Sequence, residues 1–105
     1  MKYKLCIFAP DNPKMIERLI DVASQAGAGV MGKYSHCAFI TKGVGTWKSE
    51  KGAHPFIGKV GETSTETEVK IEMICFTDSI TDVVRAIREV HPYEEPAIDF
   101  WKLEE

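Results

Sequence analysis

The sequence predicts an α+β fold in which four strands and two helices follow one another as β-α-β-β-α-β, with both helices on one face of an antiparallel sheet. Three observations predict it. Residues 2–9 and 66–76 alternate side chains with the period of a strand. After each comes a stretch with a capping residue and an apolar stripe at helical spacing. Each helical stretch leads into a further strand-like run, so the chain divides into two strand-helix-strand halves.

In the first strand, residues 2–9, Tyr3, Leu5 and Ile7 share one face while Cys6 and Phe8 share the other. Asn12 then offers a capping oxygen, and Pro13 suits the first helical position, where its missing N–H would have had no partner. Ile16, Leu19, Ile20 and Ala23 follow as one helical face, and the helix is expected to end near Gly27. After the turn containing Gly27, Gly29 and Gly32, residues 33–41 read as the second strand.

Residues 42–65 hold Gly43, Gly45, Gly52, Gly58 and Gly61 around Trp47 and the run His54-Pro55-Phe56-Ile57. This is too long for a hairpin turn and too aromatic for a disordered linker. It is expected to be a long ordered excursion between strands 2 and 3, with room for a short strand at 45–48. In the third strand, 66–76, Val69, Ile71, Met73 and Cys75 face one way and Lys70, Glu72, Ile74 and Phe76 the other. Ser79-Ile80-Thr81-Asp82 resembles a capping box with Asp in place of Glu, and Val83, Ala86, Ile87 and Val90 form the second helical stripe. That helix must stop by His91, because Pro92 disfavours helical geometry in the residue before it. Residues 97–103, with Phe100 and Trp101, supply the fourth strand and complete a ferredoxin-like sandwich.

Length and charge exclude several classes. A chain of 105 residues fits a single domain, 1–105, burying roughly 60–70% of the surface its unfolded form exposes. With a net charge of -3 and scattered lysines, no basic face is available to neutralise phosphates, so nucleic acid is not an expected partner. The apolar run before Pro10 is too short for a signal-peptide core or a membrane span, which places the expectation in the cytoplasm. Three cysteines without C-x-x-C spacing fit a reducing compartment.

Two helices cover one sheet face. The opposite parity still presents Cys6, Phe8, Ile74 and Phe76, with Trp101 or Phe100 added by the last strand. A monomer seldom leaves such a face in water, so burial against copies of the chain is expected; the alternative is that the excursion folds back over it.

Five motifs then carry a family resemblance. They are Gly27-Ala28-Gly29; Gly32-Lys33-Tyr34-Ser35-His36-Cys37; Gly43-Val44-Gly45-Thr46-Trp47; Gly52-Ala53-His54-Pro55-Phe56-Ile57-Gly58 with Val60-Gly61; and His91-Pro92-Tyr93-Glu94-Glu95-Pro96-Ala97. In this order they resemble the Nif-three-like family (NGG-one-interacting-factor-three-like proteins), and specifically the domain inserted in many of its members, which also occurs as a free-standing protein. That domain is similar in fold to CutA and the PII signalling proteins. The resemblance thus implies a homotrimer with its open sheet faces turned inward. CutA-like proteins share a His-Pro-Tyr-Glu run before their closing strand. The family's dinuclear metal site belongs to flanking segments that this sequence does not include. His54 stands where the family pattern has Asn, so no ligand role passes to it from the family.

No catalytic constellation emerges from the residues themselves. His91 at a helix C-terminus is explained as a cap, its imidazole bonding a free carbonyl, and it is also a candidate ligand because Tyr93, Glu94 and Glu95 share its turn. Glu94 and Glu95 are solvated carboxylates by default, since their spacing gives no reason for one pKa to rise. His36 and Cys37, as strand neighbours, would point to opposite faces and could not form a nucleophile-base pair. Cys6 and Cys75 read as small buried hydrophobes. Imidazole and carboxylate suit Zn²⁺ or Cu²⁺, which makes His36, His54 and His91 candidate metal ligands, although no close-spaced pair exists and no cofactor is required. By analogy with the PII partner-binding loop, Trp47, His54 and Phe56 are binding candidates, or else aromatic anchors against a neighbouring subunit. The expected function is an oligomeric, regulatory module binding a small molecule, metal ion or protein at clefts between subunits. The alternatives are a metal-dependent hydrolase related to the full-length family and a purely structural adaptor.

Overall fold

The computed structural model describes residues 1–104. Its elements are β1 (Lys2–Pro10), α1 (Pro13–Gln25), β2 (Phe39–Lys48), β3 (Thr63–Phe76), α2 (Ile80–Val90) and β4 (Ile98–Lys102). The strands form one antiparallel sheet in the order β2-β3-β1-β4. This is the ferredoxin-like sandwich that the alternation predicts. Among the described residues no helix is long and apolar enough to cross a membrane.

The core lies between the helices and one sheet face. Leu5, Ile7 and Ala9 of β1 and Val69, Ile71, Met73 and Cys75 of β3 meet Leu19 and Ala23 of α1 and Ile80, Val83 and Ile87 of α2. Fully burying the Val, Leu, Ile and Met side chains among these contributes about 1.5–3 kcal/mol each. The Asn12 cap is made: the Met15 amide donates to Asn12 Oδ1 at 3.0 Å. The box at α2 is not. Ser79 makes no side-chain cap bond. Its hydroxymethyl group instead fills the space beside Gly27, where a Cβ would stand 2.7 Å from Ser79 Oγ.

The second strand is displaced from its expected position. Residues 30–38 form a loop with an isolated Met31–Tyr34 bridge, and β2 begins only at Phe39. The alternation through Tyr34, Ser35, His36 and Cys37 mimics a strand, but His36 adopts a φ of 59° and its amide donates to Ser24 Oγ of α1. β2 then runs on through Gly43 and Gly45, so both ends of the expected excursion, residues 42–48 and 63–65, are strands of a long β2–β3 hairpin. The irregular part shrinks to residues 49–62. Since β1 ends opposite Glu68, the hairpin overhangs the sheet and lengthens the molecule to 46 Å against 24 and 23 Å.

Register settles which side chains share the open face. Trp101 lies across from Lys4, and Lys4 from Ile74, on the side away from the helices. Phe100 lies across from Leu5 on the helix side and packs edge-on against Tyr3, with ring centroids 5.5 Å apart. Phe39, Cys6, Glu72 and Asp99 share one cross-sheet row of the open face, and Phe8, Lys70 and Thr41 the next. The face is therefore an apolar band interleaved with charge. Phe39, Phe76 and Trp101 are 69%, 41% and 49% exposed, so the excursion does not roof them.

Candidate functional site: the turn after α2 and the hairpin loop

The α2 helix stops at His91, where φ −67° and ψ 134° take the chain out of helical geometry ahead of Pro92. His91 is buried. The Tyr93 amide donates to its Nδ1 at 3.1 Å, so Nε2 carries the hydrogen and donates to the Phe8 carbonyl at 2.7 Å. The ring is thus a neutral strut between the turn and β1, with both nitrogens committed. Burial lowers its pKa below the ordinary 6.5, outweighing the Phe8 carbonyl and Glu68, which favour the proton. His91 does occupy the C-cap position of α2, its amide donating to the Ile87 carbonyl, but the carbonyl that its imidazole bonds belongs to β1 and not to the helix end.

Tyr93 is bolted down next. Its hydroxyl donates to Glu68 Oε2 at 2.6 Å, and burial followed by that carboxylate pushes its pKa well above 10. The ring lies 4.9 Å from His91, 6.3 Å from Trp47 of β2 and 6.2 Å from Phe56 of the 49–62 loop, each tilted. Glu94 then clasps the loop, its Oε1 accepting the His54 amide hydrogen at 2.9 Å. His54 takes part through its backbone while its side chain is exposed.

Between turn and loop runs a groove of about 270 Å³ with walls from Trp47, Phe56, Ile57 and Tyr93 and polar edges from Lys48, Glu50, Glu94 and Glu95. The structure thus gathers six of the residues singled out in the sequence, Trp47, Phe56, Tyr93, Glu94 and Glu95 in the groove walls and His91 behind them. His54 sits at the clasp. Glu68 has no signal in the sequence, because nothing local ties a β3 carboxylate to a phenol 25 residues on.

His36 is elsewhere, on the loop over α1. Its Nε2 pairs with Asp21 Oδ1 at 3.0 Å and its Nδ1 with Ser35 Oγ at 2.8 Å. Hydrogen bonds from His36 and then Gln25 hold the Asp21 carboxyl below its ordinary value. The contacts staple an exposed loop to a helix. His36 and Cys37 are not strand neighbours as expected, yet they do not pair, since the ring is engaged by Ser35 and Asp21. His36, His54 and His91 do not converge, and among the described residues no three His, Cys, Asp or Glu side chains are placed to hold a metal ion. Burial raises the thiol pKa of both Cys6 and Cys75, as their hydrophobic reading requires.

A ferredoxin-like sandwich with an overhanging β2–β3 hairpin, its loop clasped by the turn before the last strand, defines a CutA/PII-like α+β module. The fold superposes on the periplasmic divalent cation tolerance protein CutA from Archaeoglobus fulgidus with a TM-score of 0.73 and 17% identity, covering 100% of this chain and 86% of that one. At that identity the likeness is one of fold. No protein-family model matches the chain. Sequence relatives nonetheless do. It is 44% identical over 101 residues to a Halalkalibacterium halodurans protein named GTP cyclohydrolase 1 type 2 homolog, covering 96% of this chain and 27% of that protein. A Bacillus subtilis protein of the same name is 41% identical over 103 residues, with 97% and 27% covered. The crystal structure of a Bacillus cereus protein related to NIF3 aligns with a TM-score of 0.82 and 33% identity, over 99% of this chain and 26% of that one. Over nearly its whole length the chain is related in sequence and fold to one segment of these longer, Nif-three-like proteins. It spans about a quarter of the length of the relatives it matches.

Proposed function

We propose that the chain is a cytoplasmic, self-associating module of CutA/PII type, three copies turning their open sheet faces inward, which binds a ligand in the groove between residues 91–96 and the 49–62 loop. One observation carries the assembly: Phe39, Phe76 and Trp101 stay exposed on a sheet face that the chain's own helices and loop leave uncovered. Bare aromatic side chains of this kind mark an interface, and the likeness of fold to CutA supports a closed ring. Charge on the face does not oppose this. Lys4 and Lys70 stand among Glu72 and Asp99, and both signs can pair across copies.

The ligand reading rests on the groove's construction. Its walls are fixed before any ligand arrives, by the Tyr93 to Glu68 bond on one side and the Glu94 clasp on the other. A metal ion held by His91 would have to break one of that ring's hydrogen bonds, and the activity in the relatives' name belongs to proteins of which this chain spans 27%. Light scattering with and without Phe76→Asp tests the assembly, because a lone carboxylate at a sheet-to-sheet contact would have to be buried unpaired.

A further inference from the structure

Resting on that groove, we propose that its ligand is a small organic cation, an alkylammonium whose charged head lies against Trp47, Phe56 and Tyr93 while Glu50, Glu94 and Glu95 neutralise it. The faces of aromatic rings carry negative potential, and a desolvated cation over them is held by their quadrupoles, most strongly by indole. Here three rings come together, with centroids 6.2 and 6.3 Å from Tyr93 and mutual tilts of 53° and 46°. At these tilts none of the three is hidden in a close parallel stack with another, and all three line the groove.

Charge selects the same class. Three carboxylates border the groove against the single ammonium of Lys48. A phosphate or carboxylate ligand would meet that excess directly, and the Tyr93 hydroxyl is no help to it, because its hydrogen is already given to Glu68. A neutral apolar ligand would fit the walls but leave the acidic border unused. The groove, about 270 Å³, has room for a trimethylammonium head on a short stem.

Choline is the probe, its neutral isostere 3,3-dimethylbutan-1-ol the control, and ATP the anionic competitor. The full chain is titrated with each, reading the Trp47 indole N–H resonance by NMR and light scattering on the same samples. Choline should shift the Trp47 signal saturably in the millimolar range, with the isostere about tenfold weaker. Trp47→Leu should abolish saturation. Glu95→Gln, at an exposed site where folding is not at stake, should weaken choline severalfold and flatten its salt dependence.

Equal binding of choline and the isostere would overturn the cationic class while leaving a groove ligand. An ATP shift at Trp47 stronger than choline's would replace it with an anion. Silence from all three probes would remove the groove as a ligand site. The groove is built within one chain, so a monomeric scattering signal alongside saturable choline binding would sink the assembly and spare this inference.

Discussion

His91 Nε2 donates to the Phe8 carbonyl across 2.7 Å, tying the turn after α2 to the strand that opens the chain. With Nδ1 accepting from the Tyr93 amide, the ring must stay neutral to keep both bonds.

Stability should therefore fall in mild acid. The folded pKa of His91 is depressed, so the unfolded chain takes a proton near 6.5 while the folded one does not. The contribution is complete above 6.5 and is lost as pH drops towards the folded value. Urea melts from neutral into mildly acidic solution should show a falling midpoint, and a shallower fall in His91→Gln, whose amide can replace both bonds. His91→Ala leaves a buried carbonyl and amide unpartnered and should cost about 2–3 kcal/mol. Equal acid sensitivity in His91→Gln and the parent would contradict the neutral strut.

Tyr93 should ionise late. Its folded pKa is raised, so its contribution is intact below 10 and fades as pH rises beyond, where the unfolded chain alone loses the proton. Ultraviolet titration should show one of the three tyrosines ionising well after free tyrosine. Tyr93→Phe should remove that component and cost about 1 kcal/mol in urea. A titration with no late step would mean the Glu68 bond is not held in solution.

Gly45 guards the same bond. A Cβ added at 45 would land on the Glu68 carboxylate, so Gly45→Ala must push that side chain away from Tyr93. The expected result is a Tyr93 titration moved back towards 10, with the far-ultraviolet spectrum unchanged. An unmoved titration would show that the carboxylate can sidestep while keeping its partner.

Phe76 and Phe100 should behave oppositely although both are partly exposed. Phe100→Ala removes a helix-side ring from Tyr3 and should lower monomer stability by about 1–2 kcal/mol. Phe76→Asp should spare helix content and change the association state. Unfolding of Phe76→Asp at every concentration, read by circular dichroism, would move Phe76 into the monomer core.

The sequence exposes elements whose buried side chains are consecutive in parity. β1, β3 and both helical stripes are legible because Leu5, Ile7, Val69, Ile71, Leu19 and Ile87 mark their inner faces directly. β2 escapes for the converse reason. It is an edge strand with Gly43 and Gly45 on one face and exposed Lys42 and Val44 on the other, so no apolar rhythm announces it. Meanwhile Tyr34 to Cys37 imitates a strand, and the positive φ of His36 is set by contacts to α1 that lie 12 and 15 residues away. Most of the groove is legible, since Trp47, Phe56 and Tyr93 are conspicuous aromatic residues among glycines and prolines. What ties them together is not, because Glu68 and the His54 backbone act across 25 and 40 residues.

Whether the uncovered sheet face meets its own copies decides the proposed assembly, while the groove stands within one chain. Multi-angle light scattering over a dilution series measures it. The chain should hold a mass three times its 11.8 kDa down to micromolar concentration, and Phe76→Asp should fall to a single copy with its helices intact. A parent chain that scatters as one copy at every concentration would contradict the account.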